Sequence, residues 1–365
     1  MAAITAASVK ELREMTGAGM MDCKKALNET DGDMEKAVEF LKKSGAAKME
    51  KKASRIAAEG LCRIACDGKA AVVAEVNSET DFVAKNELFQ EFVQKVADTA
   101  LSSGLKGGKN GEDIEALLGT DGLKDVLIEK TSTIGEKLSV RRFERVESGC
   151  TATYIHGGGK IGVIVAASGA DGDAEKNALK DIAMQVAAMS PQYVSRNDIP
   201  SDEMDKIREI TIDSALNDPP TLPKPILQKL IDEAVTGKKW SDEDIAIYEE
   251  KKSNMNFLFN FLSDEAKNAV AALALGHKDE YMSDKIFSGL VEGRVSKHVK
   301  DISLMDQVYV KAEDGKQSVG KYLESVNKEL KIDRFVRFEV GEGMEKKEED
   351  YAAEVQKQID AAKNA

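Results

Sequence analysis

The spacing of apolar residues changes along the chain, and each change predicts a new element. Residues 1–45 carry helix-period blocks. Ser8 followed by Glu11 is a capping-box pattern that predicts the start of a first helix. Thr16-Gly17-Ala18-Gly19 stops it, and MMDCKKAL supplies a second short helix. Residues 28–33 (NETDGD) predict a turn, and MEKAVEFLKKSG a third helix closed at Gly45. Three short helices bury only a small core. KMEKKASR follows, basic and poor in apolar residues, and reads as a linker or exposed helix.

The middle of the chain repeats itself. Residues 61–66, Asp67-Gly68 and residues 71–76 form a hairpin signal, because Asp-Gly supplies the positive φ of a tight turn. Residues 151–155, the glycines 157–159 and residues 161–167 repeat it. A helix follows each hairpin. Phe89, Phe92, Val93, Val96 and Ala97 share one apolar stripe, and ninety positions later Leu179, Ile182, Ala183, Val186 and Ala187 trace it again. Each copy closes on a similar strand, SVRRFERVE (139–147) and RFVRFEVGE (334–342). The fold class this predicts is α+β, with two related halves, each a three-stranded antiparallel sheet with helices on one face.

The second half is interrupted. All six prolines lie from 191 to 225, and from 201 to 295 the pattern is helical and highly charged. SDEDIAIYEEKKSNMNFLFNFL and SDEAKNAVAALAL both open on a Ser-Asp-Glu cap signature. MEKKEEDYAAEVQKQIDAAKNA predicts an amphipathic C-terminal helix. The expected divisions are a helical module with linker at 1–55, a first core half at 56–150 and a second at 151–200 and 296–343. A coiled-coil-like helical excursion takes 201–295, and a C-terminal helical module 344–365.

Composition narrows the function classes. The formal net charge is −13, which argues against broad nucleic-acid or membrane binding, since both draw on excess Lys and Arg. The N-terminus has no apolar signal-type stretch, and no later run approaches a bilayer span. Four cysteines are too few and too scattered for a disulfide framework, which predicts a soluble protein of a reducing compartment. Three histidines leave little for a zinc or histidine-dependent catalytic site, and no cofactor is expected.

SETDFVAKNELF, at 78–89, sets a phenylalanine directly after an acid between a strand-like and a helix-like run. The ordinary reading makes Phe82 an early member of the buried stripe, since it lies seven residues before Phe89. Lys85 and Asn86 break that stripe, and the second copy carries Asp171-Gly172 opposite Asp81-Phe82. A half therefore folds without an aromatic there, and Phe82 reads as an exposed anchor for another protein. For Asp81 alone, a favourable place at a helix N-terminus accounts equally well.

TGAGMMDCKKAL with DGDMEKAVEFLKKSGAAK, EVNSETDFVAKNELFQ and FVRFEVGEGMEK resemble, in order, motifs of the bacterial elongation factor Ts family. The resemblance covers most of 1–212 and 289–355. It implies that residues 1–55 are a ubiquitin-associated-like domain and that the activity is guanine-nucleotide exchange on elongation factor Tu, bound with GDP or nucleotide-free. Carried over by residue, Thr80, Asp81, Phe82 and Val83 form a wedge that disturbs the partner's magnesium and phosphate region, while Arg13, Met20, Met21 and Lys24 contact the same partner domain. Such a factor speeds dissociation and performs no covalent chemistry. The expected setting is the bacterial cytosol.

This chain departs from the family at two places. Gln185 stands where many relatives have a histidine facing the partner, so a contact there would be a neutral amide one. Residues 213–288 have no counterpart in the family's usual helical hairpin, and an interaction surface, a homodimer through the excursion or a tolerated addition are all open. The different-class alternative is a non-catalytic adaptor whose three-helix module binds a ubiquitin-like or folding partner. A third reading, nucleotide hydrolysis, rests on GKQSVGKY at 315–322, a near-match to a phosphate loop. Tyr322 stands there in place of the magnesium-binding hydroxyl residue, and no acidic strand follows. His156 with its three glycines reads as a hairpin turn, and the basic run 48–55 as a solvated face without aromatics for base stacking.

Overall fold

The computed structural model describes residues 4–169 and 172–345. Asp171 and almost all of the expected C-terminal helix lie outside those residues. The chain divides into two compact units, Met1–Ser190 with Lys321–Ala365, and Pro191–Gly320.

The first unit opens with α1 (Ala6–Thr16), α2 (Met20–Glu29) and α3 (Met34–Lys52). The capping box lies three residues earlier than the sequence suggests: Thr5 accepts from the Ser8 amide, and Ser8 Oγ accepts from the Thr5 amide. Gly17, at φ 65°, turns the chain out of α1. Val9, Leu12, Cys23, Ala26, Leu27 and Ala37 make the small core.

Next come β1 (Glu59–Cys66), β2 (Ala70–Ser78), the single turn α4 (Asp81–Ala84), α5 (Glu87–Ser103), β3 (Gly107–Gly108), α6 (Ile114–Leu118), α7 (Leu123–Ile134) and β4 (Ser139–Glu147). Asp67 shapes the β1–β2 hairpin by accepting the amides of Lys69 and Ala70, both at 2.9 Å. The sheet order is β1-β2-β4-β3, so this half has a fourth, two-residue edge strand that the sequence did not announce. It forms because Gly107 has no Cβ; one would lie 2.2 Å from the Phe143 carbonyl.

Two expectations for α3 need correction. The helix does not close at Gly45 but runs on to Lys52. Gly45 is a packing residue, since a Cβ there would come within 2.9 Å of Ile128 on α7. Nor is the basic run beyond it merely solvated. Lys48 pairs with Asp22 and Arg55 with Glu79, while Lys52 reaches the Thr131 carbonyl. Burial pushes the Lys52 ammonium below its ordinary pKa, with Arg55 adding to the effect.

The second half contains β5 (Cys150–His156), β6 (Ile161–Ser168), α8 (Asp173–Met189) and, after the second unit, β7 (Lys331–Glu339), in sheet order β5-β6-β7. Both middle strands carry a register shift, at Glu75/Val76 and Ala166/Ala167, so the repeat extends to backbone irregularity. The two sheets pack face to face over Cys62, Ala71, Val73, Ile164, Ala166, Val336 and Phe338. The opposite face of the first sheet takes the α5 stripe, with Phe89, Phe92 and Val93 against Val72, Ala74 and Val76. Burial on both faces is why β2 reads as the nearly continuous apolar run AAVVAEV.

The second unit holds α9 (Ser201–Asn217), α10 (Lys224–Thr236), α11 (Asp242–Lys251), α12 (Met255–Leu258), α13 (Asp264–Gly276), α14 (Lys278–Met282) and α15 (Lys285–Ile302). It is wider than the expected 201–295 and is no coiled-coil excursion. Ile207, Leu216, Leu230, Trp240, Val270, Phe287 and Val291 belong to one shared core. Trp240 donates to the Ala266 carbonyl at 3.0 Å, and Asp244 accepts from the Ser241 and Ser263 hydroxyls. A further helix, α16, spans Val319–Val326.

Candidate functional site

Residues between β2 and α5 build the most distinctive surface of the first unit. Ser78 ends β2 and its hydroxyl donates to the Thr80 carbonyl. Thr80 precedes α4 in an extended conformation, yet its side chain does not cap that helix. Instead the Thr80 amide and hydroxyl both donate to the Glu136 carboxylate, at 2.9 and 2.7 Å. Glu136 lies in the short connection between α7 and β4.

The tie is returned one residue away on each side. Glu79 Oε1 accepts from the Lys137 amide at 2.5 Å and also from Arg55 at 3.1 Å. Lys137 Nζ in turn donates to the carbonyls of Ala53 and Arg55, just past the end of α3. The strand end, the α7–β4 connection and the end of the N-terminal module thus meet in one hydrogen-bonded junction.

Beyond the junction, α4 has an inner and an outer side. Val83 and Ala84 are buried in the core beneath α5. Asp81, Phe82 and Lys85 are exposed, and Phe82 keeps 76% of its surface open. Lys85 Nζ lies 3.6 Å from Asp81 Oδ2 and 5.7 Å from the centre of the Phe82 ring. Lys85 ends α4, and the Asn86 side chain caps α5 through the Leu88 amide. Because the two helices are separate, Phe82 does not continue the buried stripe that starts at Phe89. In the second half, α8 begins at Asp173 with Gly172 as its N-cap.

The four residues expected in this stretch therefore divide. Asp81 and Phe82 face solvent, Thr80 is half-buried in its tie to Glu136, and Val83 is a core residue whose side chain is not available to a partner. In the N-terminal module, Arg13, Met20, Met21 and Lys24 are all exposed, Met21 at 77%. Met15 is also exposed, and it flanks the same glycine turn in the sequence, which could have pointed to it. Methionines exposed together make a soft apolar surface that adapts to a partner.

Gln185 does not fit its expected place. It is fully buried, three residues after Ile182 on the inner side of α8, so the chain itself covers the side chain. The phosphate-loop reading of 315–322 also fails on geometry. Val308 pairs with Ser318 in an isolated bridge, and among the described residues no strand leads into the turn. Tyr322 hydroxyl donates to Asp181 at 3.3 Å. His156 does end a strand at a three-glycine hairpin, and Tyr154 hydroxyl contacts its Nδ1. No helix among the described residues is long and apolar enough to cross a membrane.

The family model described as Elongation factor TS matches residues 79–342. Elongation factor Ts of Clostridioides difficile (strain 630) is 41% identical over 370 aligned residues, covering 98% of this chain and 100% of the relative. Elongation factor Ts of Clostridium perfringens (strain SM101 / Type A) is 40% identical over 97% of this chain and 98% of its own length. Both alignments span the helical unit, including residues 213–288 that the sequence left without a counterpart.

Proposed function

This chain belongs to the elongation factor Ts family, and from that premise we propose that it promotes release of GDP from elongation factor Tu by pressing the Phe82 ring into the partner's nucleotide domain. The observation that carries the reading is a large apolar ring, 76% exposed, on a turn whose other side is buried. Its exposure leaves it little part in this chain's own stability. Its rigid support lowers the entropy lost on binding.

Asp81 and Lys85 flank the ring and give the contact polar direction. Arg13, Met15, Met20, Met21 and Lys24 form a second proposed contact with the same partner. Gln185, covered within the chain, is not part of the proposed surface. Val83 acts as the seat of the turn.

The chemistry asked of the wedge is modest. Magnesium in the partner bridges the nucleotide phosphates, and those phosphates rely on aligned backbone amides. A ring that shifts these groups weakens both interactions at once, with no covalent step. Linkage makes the effect reciprocal: whatever loosens GDP on the partner is itself loosened by GDP. A bacterial cytosolic setting follows from the partner.

Stopped-flow release of fluorescent GDP from elongation factor Tu tests the reading. Release is expected to accelerate with rising concentration of this chain and to saturate. A release rate that stays flat at saturating concentration would leave the adaptor reading in its place.

A further inference from the structure

Phe82 is a useful wedge only if the turn that carries it holds its direction under load. α4 is a single turn, too short to be stable alone. Its own N-terminal residue spends no hydrogen bond on capping it. Something outside the turn must fix it.

We propose that Glu136 is the positioning residue of the wedge, gripping Thr80 so that Phe82 is presented in one direction. The proposal rests on the exchange reading above. Three features of the junction carry it. Both donors of Thr80, amide and hydroxyl, go to the two oxygens of one carboxylate, which fixes rotation as well as distance. The grip is reciprocal, because Glu79 takes the Lys137 amide from the opposite direction, making a two-way clamp between two pairs of adjacent residues. The clamp is also anchored. Lys137 and Arg55 tie it to the end of α3, and α7 behind it packs on that same helix at Gly45. Glu136 bonds to Thr80, two residues before Phe82, so its role is exerted through Thr80.

The test uses the full-length chain as wild type, Glu136→Ala, Glu136→Gln, Phe82→Ala and the Phe82→Ala/Glu136→Ala double variant, all in the GDP-release assay. Glu136→Ala is expected to lower the second-order exchange constant on the order of tenfold, the loss of two charge-assisted hydrogen bonds. Glu136→Gln can accept the Thr80 amide and donate to its hydroxyl oxygen, so it should recover to within about threefold of wild type. In the Phe82→Ala background, adding Glu136→Ala should change the rate by less than about twofold, because there is no ring left to aim. Hydrogen exchange supplies the structural arm: the Thr80 amide should lose protection in Glu136→Ala while amides of β1 and β2 keep theirs.

Additive losses in the double variant, or an unchanged Thr80 amide, overturn the clamp. So does a Glu136→Ala variant as active as wild type while Phe82→Ala is slow, and that result leaves the exchange reading standing. A wild type that leaves GDP release unchanged overturns the exchange reading and Glu136's part in it together.

Discussion

The Glu75 carboxylate, fully buried on β2, lies 2.6 Å from Arg142 Nε on β4, and the Arg142 guanidinium sits 4.2 Å from the centre of the Phe338 ring on β7. Glu75 also accepts from Arg141 at 2.9 Å, from the Asn77 amide group at 3.1 Å and from the Gly341 backbone amide at 2.9 Å. One carboxylate therefore joins both sheets to the turn that follows the last strand. A buried charge is tolerable only with partners of this kind, and removing one side leaves the others unpaired.

From this follows the first prediction. Glu75→Ala should cost about 3 kcal/mol, since Arg142 would lose its buried carboxylate and keep only the half-exposed Glu342. Urea denaturation followed by circular dichroism measures it. A loss below about 1 kcal/mol would show that the junction is dispensable.

Gly162, the second residue of β6, has an ordinary strand conformation but no room for a side chain. A Cβ there would lie 2.7 Å from Val73 Cγ2 and 3.1 Å from Cys62 Cβ, both on the facing sheet. Gly162→Ala should therefore destabilise the chain by about 1–3 kcal/mol through overpacking. A Val73→Ala change in the same chain should recover part of that loss, and independent, additive effects would refute the proposed contact.

Asp67 makes a pH-dependent contribution whose sign is fixed by its hydrogen bonds. The Lys69 amide, then the Ala70 amide, hold its carboxyl below the usual aspartate pKa. Because the folded value lies below the unfolded one, the stabilisation is fully present above the ordinary aspartate pKa of about 3.9 and is lost as pH falls through the folded value. The stability difference between wild type and Asp67→Asn should be largest near neutral pH and shrink on acidification. NMR titration of the Asp67 side-chain carbonyl carbon decides the point, and a midpoint at or above the ordinary value contradicts it.

Local signals carried much of this architecture. Phe89, Phe92, Val93 and Val96 repeat at helical spacing because one face of α5 must meet a sheet, and that requirement is visible in the chain itself. Asp67-Gly68 and the three glycines at 157–159 mark turns through backbone conformations that other residues avoid. Tertiary partners were not visible. Gly45 looks like a helix stop until Ile128 is known to lie against it. Gln185 looks like a surface amide until the packing of α8 covers it. The second unit's shared core depends on helices whose faces meet only in space, so its charged sequence suggested an extended excursion.

The candidate site divides in the same way. Phe82 was legible because Lys85 and Asn86 interrupt the stripe and the second copy lacks an aromatic there. Val83 was not separable from its neighbours in sequence, yet the structure turns it inward. Glu136 carries no sequence signal toward Thr80, 56 residues away, and only their shared hydrogen bonds connect them.

The central claim is that the exposed ring of Phe82 does the work on the partner's nucleotide site. Its most direct measurement is the second-order rate constant for GDP release from elongation factor Tu with wild type and Phe82→Ala, alongside the thermal unfolding of both. The ring's exposure predicts unchanged unfolding and a loss of about 2 kcal/mol, or on the order of 30-fold, in the rate constant. A Phe82→Ala chain that folds normally and releases GDP as fast as wild type would contradict the account.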